Sequence, residues 1–101
     1  VNLLLTAQTN CLTEIFFEDA IARAKEIDAE YASTGKPRGD LHGLPVSLKD
    51  NFNVKGADTT VGFVAWCNEP QQIDSAMTQI MRESGAIIHC KTNVPTAMVR
   101  L

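Results

Sequence analysis

Long apolar runs are missing from this 101-residue chain: Leu3 to Leu5 meets Thr6, and Ala86 to Ile88 meets His89. Neither approaches the ~20 residues that span a bilayer, so no transmembrane segment is expected. Residues 1–9 carry neither a charged leader nor an apolar stretch of signal-peptide length, which makes a reducing cytoplasm the default compartment. Basic charge is scarce too. Nine Lys and Arg stand against twelve Asp and Glu, for a formal charge of -3, and no basic run interleaved with aromatics is there to track phosphates. No nucleic-acid partner is expected. Cys11, Cys67 and Cys90 are an odd, widely separated set without the paired spacing that holds zinc. We expect three free thiols in or near the core and no metal. His89 and Cys90 are neighbours in an expected strand, so their side chains leave on opposite faces and cannot form a catalytic pair. With Gly 6 and Pro 4, the chain is neither collagen-like nor low-complexity, and it has no glycine loop that would cradle a nucleotide phosphate.

What is present fits one modest folded unit. Hydrophobic residues make up 45% and charged residues 21%, as in ordinary globular domains. The length falls short of the roughly 200 residues that large α/β catalytic folds use, which limits what the chain catalyses alone.

Cys11 to Phe17 mixes Ile, Phe and Thr in short alternation and reads as a strand, with flanks that would also allow the start of a helix. Ala20, Ile21, Ala24, Ile27 and Tyr31 then recur at helical spacing, with Glu18 and Asp19 at the anion-favouring end and Gly35 and Pro37 as the stop. Leu44 to Lys49 reads as a strand whose Pro45 belongs at its first residues, because proline donates no ladder bond. Val46 and Leu48 face one side of it, Ser47 and Lys49 the other. Asn51 to Gly56 is a turn, Thr59 to Trp66 an extended segment, and Asn68 to Gln72 a loop. Ala76, Met77, Ile80 and Met81 form a helical stripe capped by Asp74 or Ser75 and stopped by Gly85. Ala86 to Lys91 is a further strand, and Thr92 to Leu101 a loop leading into a helix start. The fold class is therefore α/β: a β-α-β unit with parallel strands 44–49 and 86–91, plus an amino-terminal strand and helix. Two or three such strands cannot cover both faces of their own sheet, so the chain reads as part of a larger one.

Lys49 ends a strand, where open α/β sheets place their ligand sites. If the apolar stretch before it dried its surroundings, the amine would move toward neutrality and could accept a proton from a serine. Otherwise it is an exposed strand-end lysine paired with Asp50. Ser47 shares its face at roughly 6 to 7 Å along the backbone, but no oxyanion donor accompanies it and a structural hydroxyl is the expectation.

Gly43-Leu44-Pro45-Val46-Ser47-Leu48-Lys49-Asp50, followed by Phe52, Val54, Lys55, Gly56 and Thr59-Thr60-Val61-Gly62, resembles the entry to the amidase signature family. Asp74-Ser75-Ala76, Gly85-Ala86-Ile87-Ile88 and Lys91-Thr92-Asn93-Val94-Pro95 follow in the family's order. Asn10 to Phe17 and Gly35-Lys36-Pro37 further resemble its fungal acetamidase-like branch, which shares features with fatty acid amide hydrolase. The resemblance implies a partial amidase-signature fold, with residues 1–101 as an amino-terminal fragment truncated before a Gly/Ser-rich segment. It also implies hydrolysis of small or fatty amides to acids and amines by a Ser-Ser-Lys relay, with no cofactor and water as second substrate. Lys49 matches the relay's lysine. Both relay serines come from the later segment, so Ser33, Ser47, Ser75 and Ser84 inherit neither role, and the chain alone is expected to be inactive. Met98 resembles a substrate-binding residue beside the acyl pocket, with a plain core methionine as the competing reading. A different class of function stands beside this one: a noncatalytic module that uses its uncovered sheet edge or apolar face to form a homo-oligomer or bind another chain.

Overall fold

The computed structural model describes residues 7–99. Its elements run β1 (Leu12–Ile15), α1 (Phe17–Thr34), β2 (Pro45–Lys49), a 3-10 turn (Val64–Trp66), α2 (Ala76–Glu83), β3 (Ile87–Thr92) and a last 3-10 turn (Thr96–Met98). The Leu3–Leu5 run and the last two positions lie outside the described residues. Among those described, no helix is long and apolar enough to cross a membrane.

The sheet order is β1-β3-β2. β2 lies parallel to β3, with Lys49 opposite Thr92, and β1 lies antiparallel on β3's other side, with Glu14 opposite Lys91. The expected β-α-β unit is thus formed, and Pro45 opens β2 where its missing N–H costs no interior bond. Being central, β3 has both faces covered: Ile87 packs with Ala20 and Ile27 of α1, while Ile88 packs with Leu48, Val54 and Ala57. Successive residues of one strand serve opposite layers. Helix α1 ends at Gly35, whose left-handed backbone (φ 66) returns its N–H to the Tyr31 carbonyl. Ser75 caps α2, its hydroxyl accepting from the Thr78 N–H.

Three expectations need correction. The first strand is shorter than Cys11 to Phe17. Its last ladder bond runs from the Phe16 N–H to the His89 carbonyl, and Phe17 already starts α1, with Glu18 and Asp19 in the first turn. Thr59 to Trp66 is not extended either. Val61 (φ 49) and Gly62 (φ 79) turn the chain, and the N–H groups of Phe63 and Trp66 bond back to Thr60 and Phe63. Among the described residues its β-prone side chains have no adjacent strand to pair with. Beyond Pro95 there is a 3-10 turn in place of a helix start, with Ala97 at φ 53 and Met98 at φ 58. The helical stripes also extend past what these layers cover, for Ile21, Tyr31, Met77 and Ile80 are exposed.

The parallel register depends on two turns lying against each other. Leu41 and Gly43 donate to the carbonyls of Ser84 and Gly85, and Ile87 donates to Leu44, so the entries to β2 and β3 are locked together. Gly85 has φ +91, and a Cβ there would stand 2.9 Å from the His42 Cα. Gly85→Ala is therefore expected to cost about 2–3 kcal/mol, from backbone strain plus a collision that backbone alone can relieve. Urea unfolding of the chain checks this, and Ser84→Ala nearby is the control.

Candidate active site

Lys49 is the last residue of β2, and the pleat places it with Ser47 on the exposed side while Leu48 is buried on the other. Among the described residues neither Ser47 nor Lys49 has a side-chain partner. No Ser47–Lys49 dyad forms, and the apolar cover anticipated over Lys49 is not supplied by the described residues. The alternative pairing of Lys49 with Asp50 is also absent, because Asp50 turns inward.

Asp50 is 1% exposed and Lys91 0% exposed. The Lys91 Nζ lies 3.3 Å from Asp50 Oδ1 and also donates to the Asp58 carbonyl at 2.6 Å and to Thr59 Oγ1 at 2.8 Å. Its three N–H groups are all used. The carboxylate is equally occupied. Oδ1 accepts from the Thr13 hydroxyl at 3.1 Å, and Oδ2 accepts from the Val61 N–H at 2.9 Å and, more loosely, from the Thr60 hydroxyl at 3.4 Å. Burial pushes the Lys91 amine below its ordinary value, opposed by the charge and hydrogen bond of Asp50 and by Glu14 and Asp58. Burial, then the Asp58 charge, raises the Glu14 carboxyl. This is a closed structural pair with no hydrogen or lone pair to offer a substrate. Of the two lysines at this end of the sheet, only Lys49 is open to chemistry.

The pair was missed in the sequence because Asp50 and Lys91 lie in separate motifs, and a side chain adjacent in sequence looks like the nearest counter-ion. The available signal was the expected parallel pairing of the two strands, which brings Lys91 beside Leu48.

Met98 is 52% exposed, so the core-methionine reading does not hold within the described residues. Its turn is tied to the Asp50 loop by the Ala97 N–H, which bonds to the Val61 carbonyl at 2.9 Å. The structure thus brings Lys49 and the Met98 turn to the same end of the sheet, linked through Asp50. The cysteine expectation needs amending: Cys90 is buried, while Cys11 and Cys67 are exposed. Burial raises the Cys90 thiol, which disfavours the reactive thiolate. Among the described residues no three His, Cys, Asp or Glu side chains gather as a metal site. An apolar cleft of about 470 Å³ lies between α1 and the sheet, walled by Phe17, Ile21, Ile87 and His89 among others. Neither Lys49 nor Met98 lines it.

The family model described as Amidase matches residues 4–101. The acetamidase of Emericella nidulans is 44% identical over 91 residues, 90% of this chain and 17% of that protein. Among solved structures, fatty acid amide hydrolase superposes with a TM-score of 0.84 at 32% identity, over 89% of this chain and 16% of that one. Native peptide amidase from Stenotrophomonas maltophilia gives 0.74 at 32% identity, over 86% and 17%. The chain spans only a small part of the length of each protein it matches. Since the family model takes in almost the whole sequence, and solved amidases share the frame on which Lys49 stands, the chain belongs to the amidase signature family.

Proposed function

We propose that this chain is the lysine-bearing segment of an amidase that hydrolyses small or fatty amides, and that Lys49 is the base of its Ser-Ser-Lys relay. One observation carries the reading: among the described residues Lys49 stands unpartnered at the end of a parallel strand, while the charged groups beside it are closed upon each other. In the reaction, a serine oxygen attacks the amide carbon and its proton passes through a second serine to the Lys49 amine. The proton then goes to the leaving nitrogen, the amine departs, and water releases the acid from the acyl-serine. Both serines and the oxyanion donors belong to a Gly/Ser-rich segment outside this sequence, so residues 1–101 are the amino-terminal portion of the catalytic domain. Met98 borders the acyl pocket. No cofactor is required, and three thiols without a disulfide suit the cytoplasm.

The relay needs both serines and the oxyanion donors, none of which residues 1–101 supply. The chain alone is therefore expected to leave amides intact. The test is a graft in which this chain replaces the stretch of the Emericella nidulans acetamidase that it matches. The graft is expected to hydrolyse acetamide, and the isolated chain to release no detectable ammonia. A folded graft with no activity would overturn the proposal.

The noncatalytic module keeps some support, because β1 and β2 are sheet edges among the described strands and Ile21, Ile73 and Ile80 are exposed. Light scattering separates the readings. A tight dimer whose partner binding is indifferent to Lys49 would favour the module.

A further inference from the structure

The geometry points to a second task for the buried pair: Asp50 and Lys91 position both ends of the site, fixing the strand end that carries Lys49 and, through Val61, the turn that carries Met98. This rests on the reading of Lys49 as relay base and Met98 as acyl-pocket neighbour. It adds two positioning residues, neither of which touches substrate.

Among the described residues Lys49 has no side-chain partner, so its amine is placed by the backbone on either side of it. That backbone is held at three points. The Asp50 N–H donates to the Thr92 carbonyl at 2.9 Å, the Thr92 hydroxyl reaches the Leu48 carbonyl at 3.4 Å, and the Asp50 carboxylate takes the Thr13 hydroxyl of β1 at 3.1 Å. Asp50 therefore joins all three strands next to Lys49.

The second arm runs through the loop. Asp50 Oδ2 accepts the Val61 N–H, holding a β-branched residue at φ 49, where such side chains are rarely found. The Val61 carbonyl then accepts the Ala97 N–H. Gly62 lies so close that a Cβ would stand 2.8 Å from the Thr96 Cα. Two backbone-level hydrogen bonds thus connect the carboxylate to a turn in which Ala97 and Met98 both have positive φ. Lys91 holds the start of the same loop through the Asp58 carbonyl and Thr59.

The chemistry requires an ionised carboxylate. Four donors converge on its two oxygens, and an ionised carboxylate is acceptor-only. Asparagine offers one oxygen and an NH₂ group, so at this position it must set N–H against N–H, either at Lys91 or at Val61. Lys91 sets its positive charge 3.3 Å from Asp50 Oδ1.

The test uses the graft, with kcat and KM measured separately for acetamide and hexanamide. Asp50→Asn is expected to lower kcat at least 30-fold with the acetamide KM within threefold, and to shift the hexanamide-to-acetamide ratio of kcat/KM at least fivefold. A merely structural residue would lower the amount of folded enzyme without moving that ratio. Thr13→Val removes one donor at nearly constant shape and strands no charge. It is expected to lower kcat three- to tenfold with the melting temperature held. If Asp50→Asn is insoluble, Asp50→Ala/Lys91→Met takes its place, since alanine leaves the Val61 N–H without its acceptor and no buried cation unpaired, with the same kcat loss and shifted ratio expected. Parental kcat and ratio in the Asp50 variant, together with parental kcat in Thr13→Val, would overturn the inference while Lys49→Met remained inactive. An inactive parent graft, or an active Lys49→Met graft, would bring down the reading of the site itself and this inference with it.

Discussion

Replacing Lys49 by methionine in the acetamidase graft is expected to lower kcat by about 10³-fold, within the range for loss of a positioned general base. That is about 4 kcal/mol of transition-state stabilisation. A lysine that handles a proton and does not grip the amide, as proposed, leaves the KM little changed when it is removed. Arginine is the informative companion. It keeps length and positive charge, yet a guanidinium does not deprotonate in a protein. If Lys49 acts as a base, Lys49→Arg should be as inactive as Lys49→Met. If it only supplied positive charge near a developing anion, arginine would retain a tenth or more of the activity. Ammonia release by the three grafts decides between the roles. Substantial turnover by Lys49→Met would end the case for this residue.

Features set by neighbours along the chain were legible. Gly35 stops α1, Ser75 caps α2, and Pro45 opens β2, each for a reason contained within a few residues. The parallel pairing of β2 and β3 followed from a strand-helix-strand order, and the two-residue period placed Ser47 beside Lys49 on one face. Features set by distant contacts were not legible. Val61 turns away from an extended path because the Asp50 carboxylate captures its N–H, and nothing in Thr59 to Trp66 announces an acid several residues upstream. Nor does local pattern reveal where β1 goes. Its place beside β3, with Glu14 opposite Lys91, is a choice among sheet edges. The apolar stripes misled in another way. Ile21 and Ile80 recur at core spacing yet are exposed, since periodicity states that a face will be covered without naming the cover. Lys49 presents the same difficulty in chemical form: the proposed role is that of a base, while the dry environment a lysine base requires is not built by the described residues.

Lys91→Met is expected to destabilise the chain by about 3 kcal/mol, the lower end of the range for breaking a buried ion pair. The lower end applies because the ammonium, though out of contact with water, still has its charge partly compensated by Asp50, Glu14 and Asp58. Methionine matches the length of the stem and fills its volume, so the loss comes from the Asp50 carboxylate left without its cation. The pH dependence follows from the same charges. In the folded parent, burial sets the Lys91 pKa below its ordinary value of 10.5, so in the window between the two the unfolded chain binds more protons and stability rises with pH. Below the folded value the penalty for burying the charged amine is present in full. The parent-minus-variant difference should therefore be level in acid and grow as the solution turns alkaline. Removing the anion as well, in Asp50→Asn/Lys91→Met, should recover much of the loss, because a pair deleted together leaves no charge unpaired. Urea unfolding of the three chains at pH 5, 7 and 9 reads all of these. A single-variant loss under about 1 kcal/mol that does not vary with pH would mean that Asp50 finds another cation or water when Lys91 is gone, and that the pair does not hold this end of the sheet together.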